Sequence, residues 1–145
     1  MIHLTPEQHV FVTERHVATL TTLRPDGTPH VVPVAFTWDA LAGVAWMTSE
    51  DGSAKVRNIE AAEGKGPAGA GPVGTGTAAR GALCQVSGGR WLTLEGELTV
   101  SRDPAVIADA ELRYAVRYGP LDPDPRRVVL NLAVDRVLGS EYMTR

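Results

Sequence analysis

The fold is decided by one stretch near the N-terminus, which reads His16-Val17-Ala18-Thr19-Leu20-Thr21-Thr22-Leu23-Arg24-Pro25-Asp26-Gly27-Thr28-Pro29-His30-Val31-Val32-Pro33-Val34. Residues 16–23 are rich in β-branched side chains in an alternating pattern, which is typical of a strand. Residues 24–29 place proline, aspartate and glycine where a turn needs them. Residues 30–38 read as the partner strand. The stretch therefore predicts an antiparallel hairpin.

Pro33 stands out in the second strand of this hairpin. A proline has no N–H to donate to a sheet ladder. Its presence indicates an edge strand, a bulge, or a place where something other than a strand approaches the backbone.

The rest of the chain alternates strands with a few helices. Thr5 and Pro6 begin a helix that should run to about Glu14, and Asp103 and Pro104 begin another that ends near Arg117. The remaining predicted elements are strands at 44–49, 82–86, 91–100 and 127–137 and a helix at 53–63. This order predicts an α+β fold with an antiparallel barrel of about six strands and helices at the connections.

Length and composition predict one domain over residues 1–145. A glycine-rich segment at 64–80 has nothing with which to build a core, and the chain on either side of it is too short to fold alone. We therefore interpret it as a flexible insertion within the domain.

Charge and hydropathy exclude several function classes. The net charge of −3 gives no basic field for nucleic acid, and no apolar run is long enough to span a bilayer. The start of the chain lacks a signal pattern, and Cys84 has no partner for a disulfide within the chain. Cys84 is interpreted as a small buried residue. Together these features predict a cytoplasmic protein that binds neither nucleic acid nor membrane.

The segment with the most chemistry reads Thr48-Ser49-Glu50-Asp51-Gly52-Ser53-Ala54-Lys55-Val56-Arg57-Asn58. Gly52 permits a tight turn, Ser53 is placed to cap a helix, and cations follow in its first turns. Free N–H groups and a partial positive charge at a helix start favour an anion, so a phosphate is one reading. The other is a capped surface helix with solvated cations.

The hairpin, the Gly52–Asn58 segment and the strand Trp91-Leu92-Thr93-Leu94-Glu95-Gly96 together resemble the pyridoxamine 5′-phosphate oxidase-like split β-barrel superfamily. The combination is most similar to its branch of deazaflavin-dependent oxidoreductases, which use coenzyme F-420. The resemblance covers the chain from about Glu7 to Val137. It implies a split barrel that forms a homodimer, with cofactor sites in grooves between the subunits.

The same resemblance implies which residues hold the cofactor. Ser53, Lys55, Arg57 and Asn58 match positions that hold its phosphate. Residues 32–34 match the strand whose backbone lies against the ring. Thr48 matches a position near the ribityl chain. The complete implied set is Val32, Pro33, Val34, Thr48, Ser53, Lys55, Arg57 and Asn58.

The implied function is hydride transfer between coenzyme F-420 and a small conjugated organic substrate. One alternative is an FMN-dependent oxidoreductase of the pyridoxamine-phosphate-oxidase type. Another is a non-catalytic protein that holds a flavin, a deazaflavin or a tetrapyrrole. Further basic residues along the groove would favour the deazaflavin, and the candidates are Arg24, Lys65, Arg80 and Arg90.

No catalytic acid or base can be named from the sequence, because the cofactor supplies the hydride chemistry. The four histidines lack the spacing of metal ligands, so no metal site is expected and each is read as a surface or hairpin residue. Trp38, Trp46 and Trp91 are assigned to the core in preference to the groove. The glycine-rich segment departs from the family, which usually has a short charged turn there, and leaves substrate access open.

Overall fold

The computed structural model describes residues 1–65 and 78–144 of the chain. The helices are α1 (Pro6–Thr13), α2 (Ala54–Glu60), α3 (Pro104–Tyr118) and α4 (Glu141–Thr144), and a π-helical turn at Ala61–Lys65 follows α2. The strands are β1 (Ala18–Leu23), β2 (Pro29–Val34), β3 (Thr37–Asp39), β4 (Val44–Glu50), β5 (Ala79–Ser87), β6 (Arg90–Ser101) and β7 (Arg127–Gly139). The α+β class predicted from the sequence is confirmed.

The strands form one antiparallel sheet in the order β2-β1-β5-β6-β7-β4-β3. Its two edge strands, β2 and β3, follow each other in the chain with Ala35 and Phe36 between them. Three peptide steps span at most about 11 Å, so the sheet must curl until its edges are close. No ladder joins β2 to β3. The result is an open, curled sheet of the kind expected for a split barrel.

The hairpin is present, but its second strand is interrupted. The sequence predicts one strand over 30–38, and the structure instead breaks it at residues 35 and 36, which raises the strand count to seven. The break has a tertiary cause. The Phe36 carbonyl accepts a hydrogen bond from the Arg117 guanidinium, and the Phe36 N–H donates to the Tyr118 hydroxyl at 3.3 Å. These partners occupy the backbone groups that a strand neighbour would otherwise use.

Arg117 is a buried cation that holds three parts of the chain together. Its side chain is 8% exposed. It donates to the Glu14 carbonyl after α1, to the Phe36 carbonyl between β2 and β3, and to the Gln85 side-chain oxygen on β5. Burial lowers the pKa of the guanidinium. Carbonyl and amide oxygens thus satisfy a charge that burial would otherwise make costly.

Helix α2 closes one end of the barrel. It leaves β4, near one edge of the sheet, and packs on β1, β5 and β6 in the other half. Val56 and Ile59 are each 1% exposed and enter the core, and Asn58 donates to the Thr22 hydroxyl of β1 at 3.0 Å. Burial of a side chain such as Ile59 contributes about 1.5–3 kcal/mol. The buried side chains of α2 therefore anchor the turn that precedes the helix.

Strands β6 and β7 approach closely at Gly96. The register of this pair shifts between Glu95 and Gly96, and a Cβ built on Gly96 would lie 1.9 Å from the Ala133 carbonyl oxygen. Only a residue without a side chain fits there.

Several boundaries differ from the sequence expectations. Helix α2 ends at Glu60 in place of residue 63, because the backbone turns π-helical there. Strand β5 begins at Ala79, so the predicted insertion at 64–80 is shorter at its C-terminal end. Residues 66–77 of that insertion lie outside the described residues. Its flexibility, and the single domain over 1–145, stay predictions.

Candidate functional site

The turn between β4 and α2 forms a corner made of residues 49–55. Gly52 has a φ of +79°, which favours glycine, and the Ser53 N–H donates to the Glu50 carbonyl at 3.2 Å. Ser53 occupies the N-cap position, but its side chain makes no capping hydrogen bond. Its hydroxyl lies 3.1 Å from the Ser49 hydroxyl of β4. The predicted N-cap position of Ser53 is therefore confirmed, but its hydroxyl pairs with Ser49 in place of a helix N–H.

Lys55 is the cation of the corner without a partner. Its side chain is half-buried, and this loss of hydration lowers the pKa of the ammonium. It makes no hydrogen bond or ion pair with any residue that the structure describes. A partly desolvated cation with no anion beside it gains more from a bound anion than a hydrated one does.

Two guanidinium groups donate hydrogen bonds to backbone carbonyls of the same corner. Arg57 donates to the Gly52 carbonyl at 3.1 Å, and Arg126 donates to the Asp51 carbonyl at 2.9 Å. Both side chains are exposed, and within the described residues neither forms an ion pair with a carboxylate. Arg57 was predicted as a site residue, whereas Arg126 was missed. Arg126 reaches the corner because β7 pairs with β4, in a register that places Glu50 opposite Arg127.

The Asp51 carboxylate in the corner is compensated by a cation. Asp51 accepts two hydrogen bonds from Arg102, at 2.8 and 3.0 Å, and Arg102 also donates to Glu60 at 2.8 Å. This pairing lowers the pKa of the Asp51 carboxyl. The cations Lys55, Arg57 and Arg126 therefore remain available to a ligand.

The predicted site residues divide into two groups. Thr48 is half-buried on β4, next to Ser49 and opposite Val129 of β7, so it lies beside the corner with Ser53, Lys55 and Arg57. Residues 32–34 lie on the edge strand β2, with Val34 buried and Pro33 exposed. The edge position predicted for Pro33 is confirmed by the strand order.

Asn58 links these two groups. It is 8% exposed, and its amide donates to Thr22, the β1 residue that pairs with His30 of β2. Its side chain is thus committed to the interior between the corner and the β2 edge. Helix α2 therefore brings Asn58 within one strand of the segment at residues 32–34.

His30 differs from the sequence interpretation of a simple hairpin histidine. It is half-buried, and its ring Nδ1 is buried with no hydrogen-bond partner among the described residues. Since it pairs with Thr22, this unsatisfied nitrogen lies near the point where Asn58 joins α2 to β1.

Two cavities flank the candidate site. One of about 390 Å³ lies behind the corner and is lined by Asp51, Arg102 and Arg126 among others. The other, of about 290 Å³, lies between α2 and the strands β1 and β5, with Thr22 and Asn58 in its wall. Both border residues that hold the corner in place.

The basic residues suggested for the groove are engaged elsewhere. Arg80 pairs with Asp135 at 2.7 Å, and Arg90 pairs with Glu14 at 2.8 Å. Arg24 donates to the Pro29 carbonyl within its own hairpin. The side chain of Lys65 lies outside the described part of the structure. The extra basic residue at the corner is Arg126 instead.

The three tryptophans occupy different settings. Trp38 packs against the core, as expected. Trp46 is half-buried on β4, with the Arg113 guanidinium 5.4 Å from its ring, and its buried Nε1 has no partner among the described residues. Trp91 is 38% exposed, so its assignment to the core of this chain is wrong.

The outer face of β1, β2, β5 and β6 carries several apolar side chains that no residue in the described part of the chain covers. Val17, Val31 and Val86 are 60%, 56% and 60% exposed, and Trp91 lies directly across from Val86. Cys84 is half-buried on β5, the strand of Val86, and has a free thiol. An exposed apolar patch of this kind is typical of a surface that another molecule covers.

Within residues 1–65 and 78–144, no three His, Cys, Asp or Glu side chains gather as a metal site. None of the helices in these ranges has the length and apolar character needed to cross a bilayer.

Comparisons with known proteins identify relatives of the whole chain. The pattern of the pyridoxamine 5′-phosphate oxidase family matches residues 4–140. The F420H(2)-dependent biliverdin reductase of Mycobacterium tuberculosis (strain CDC 1551 / Oshkosh) is 44% identical over 137 residues, covering 94% of this chain and 88% of that protein.

Two solved structures share the fold. An F420 reductase aligns with a TM-score of 0.66 at 23% identity, over 90% of this chain and 94% of the other. A conserved hypothetical protein from Mycobacterium tuberculosis aligns with a TM-score of 0.72 at 17% identity, over 97% of this chain and 86% of the other. At sequence identities this low, the two structures support a shared fold and not a shared function.

Proposed function

The chain belongs to the pyridoxamine 5′-phosphate oxidase family and is an oxidoreductase, and we propose that it transfers hydride between coenzyme F-420 and a small conjugated organic substrate. The observation that carries the proposal is the corner at residues 49–55, where the half-buried Lys55 forms no ion pair with any residue that the structure describes. The relative that is 44% identical is named for its dependence on reduced F420, which supports the choice of the deazaflavin.

The corner fits the phosphate of such a cofactor. Lys55 supplies an uncompensated positive charge, and the paired hydroxyls of Ser49 and Ser53 supply donors. Arg57 and Arg126 add two guanidinium groups at the Gly52 turn. Charged donors of this kind form the stronger hydrogen bonds to phosphate oxygens.

The cations of the corner are compatible with the deazaflavin and with FMN, so the choice of the deazaflavin rests on the similar protein. FMN carries one phosphate, whereas coenzyme F-420 carries a phosphate and further carboxylates in an oligoglutamate tail. Lys55, Arg57 and Arg126 would supply partners for the phosphate and for a nearby carboxylate of the tail. The 390 Å³ cavity behind the corner offers room beside Arg126.

The edge strand β2 fits the role of ring support. Its outer edge carries no strand neighbour, and Pro33 removes one N–H from that edge. A flat ring placed there covers backbone that would otherwise face water. Val32, Pro33 and Val34 would hold the ring by contact, and Thr48 would lie along the chain that joins the ring to the phosphate.

The cofactor, when bound, supplies the hydride chemistry, and the protein supplies position and electrostatic complementarity. Lys55, Arg57 and Arg126 bind the anionic groups, and Asn58 fixes α2 on β1 so that corner and edge strand keep their spacing. No residue is assigned to proton transfer in this proposal.

The proposal includes a homodimer. The apolar outer face that carries Val17, Val31, Val86 and Trp91 is suited to a second copy, which would place cofactor grooves between the subunits. The cytoplasmic location and the single domain expected from the sequence stay predictions.

The test is a fluorescence titration of the purified protein with oxidised coenzyme F-420 and, separately, with FMN. We expect tight binding of F-420 and weaker binding of FMN. The K55A variant should bind F-420 about 10- to 100-fold more weakly, because it loses a charged hydrogen bond to phosphate.

The control is R136A, which removes an exposed cation of β7 nine residues beyond Arg127. It should bind F-420 as the natural protein does. Preference for FMN would move the protein to the flavin-dependent alternative. Equal affinity of K55A and the natural protein for F-420 would refute the assignment of the phosphate site.

A further inference from the structure

We propose that Arg102 is a positioning residue that makes the corner at residues 49–55 receptive to an anion, by neutralising Asp51 and tying the turn to the far end of α2. This inference rests on the proposed function, because it concerns the same phosphate site. Arg102 lies at the end of β6 and is not part of the segment from which the site was predicted.

The geometry distinguishes Arg102 from the other cations nearby. Its guanidinium makes three hydrogen bonds to carboxylates, two to Asp51 and one to Glu60. Arg57 and Arg126 bond instead to backbone carbonyls. The charge of Arg102 is therefore neutralised by carboxylates of the protein, whereas the charges of Arg57 and Arg126 remain available to a ligand.

Asp51 poses an electrostatic problem for an anion site. Its Cα lies two peptide steps from Ser53, at most about 7.6 Å away. A phosphate bound at Ser53 and Lys55 would face this carboxylate over a distance at which exposed charges still interact. Compensation by Arg102 removes most of that repulsion.

Arg102 also fixes the orientation of the turn. Asp51 precedes α2, and Glu60 is the last residue of α2, so one guanidinium joins both ends of the helix. The backbone of Asp51 is held separately, through its N–H to the Arg126 carbonyl at 2.8 Å. Loss of Arg102 therefore leaves the turn in place and changes chiefly its charge and the angle of α2.

The test compares two probes that differ in the phosphate and its tail, namely coenzyme F-420 and the phosphate-free 8-hydroxy-5-deazariboflavin. The variants are R102M, D51N and the double variant D51N/R102M. R102M should bind F-420 about tenfold more weakly, with little change for the phosphate-free probe. D51N/R102M should recover most of the lost affinity, because the repelling charge is gone.

The control is R136M, which removes an exposed cation of β7 nine residues beyond Arg127, the residue opposite Glu50. It should leave both affinities unchanged. Thermal midpoints of all variants separate a loss of binding from a loss of folding. D51N alone should bind F-420 at least as tightly as the natural protein.

The outcomes separate this inference from the proposed function. If the natural protein binds neither probe, or binds both equally, the phosphate site itself is refuted. If it prefers F-420 but R102M weakens both probes equally or neither, Arg102 has a structural role only and the inference fails. Failure of D51N to restore binding in R102M would refute the neutralising role.

Discussion

The buried guanidinium of Arg117 offers the sharpest test of what holds the split of the barrel in place. Replacing it by methionine in the R117M variant keeps most of the side-chain volume and removes the charge and every hydrogen bond. The side-chain oxygen of Gln85 then loses its donor, whereas the Glu14 carbonyl keeps the His16 N–H at 3.0 Å and the Phe36 carbonyl keeps the Tyr118 hydroxyl at 3.2 Å.

The magnitude follows from the one orphaned acceptor and from the other hydrogen bonds that are lost. A buried acceptor left without a donor costs about 1–3 kcal/mol, and each lost hydrogen bond from a charged donor adds to this. Methionine offsets part of the loss, because the desolvation cost of burying a guanidinium disappears. We expect a net loss of about 2–3 kcal/mol in the free energy of unfolding.

The assay is urea unfolding followed by tryptophan fluorescence, with the midpoint compared at constant slope. The control is R80M, where the guanidinium pairs with Asp135 at 2.7 Å and the two side chains are 50% and 52% exposed. R80M should lose about 1 kcal/mol or less. An R117M variant within about 0.5 kcal/mol of the natural protein would refute the reasoning.

Two further predictions concern stability. The Glu14 carboxyl, bound by Arg90 and His16, has its pKa lowered from 4.5 to about 2. Its stabilising contribution is therefore present above pH 4.5 and lost as the pH falls toward 2, so E14Q should show a flatter fall of the urea midpoint in that window than the natural protein. A parallel fall of both proteins would contradict this. G96A should lose about 3 kcal/mol or fail to fold, because its Cβ would meet the Ala133 carbonyl, whereas G89A, whose Cβ meets nothing within 4 Å, should lose under about 1 kcal/mol. Thermal unfolding of the pair checks this, and equal midpoints would contradict it.

The elements that depend on local signals could be predicted from the sequence. Thr5 forms the expected capping pair with Gln8, at 2.9 and 3.2 Å, and Asp103 accepts from the Ala105 N–H at 2.9 Å. Such patterns act over three or four residues and can be read directly. The hairpin of β1 and β2 was likewise predictable, because its turn and its alternating strands are local patterns.

The features set by distant residues could not be predicted. The break at residues 35 and 36 depends on Arg117 and Tyr118, more than 80 positions away in the chain. The Ser53 hydroxyl turns to Ser49 because β4 ends beside it, which a capping rule does not anticipate.

The candidate site shows the same division. Lys55 and Arg57 follow a glycine turn and were accessible to sequence reasoning. Arg102 and Arg126 reach the corner through the pairing of β7 with β4 and β6, so no local pattern marks them. The register of Glu50 opposite Arg127 is the signal that would have revealed Arg126.

The most direct test of the central claim is turnover of the reduced coenzyme. Purified protein is mixed without oxygen with reduced coenzyme F-420 and biliverdin, the substrate named for the 44% identical relative, and the visible absorbance of the oxidised coenzyme is followed. We predict that the natural protein restores this absorbance at a rate proportional to its concentration, and that K55A does so far more slowly at limiting coenzyme. The contrary result is a protein that binds F-420 but does not raise the rate of coenzyme oxidation, either with biliverdin or with other conjugated acceptors. That result would contradict the proposed oxidoreductase activity.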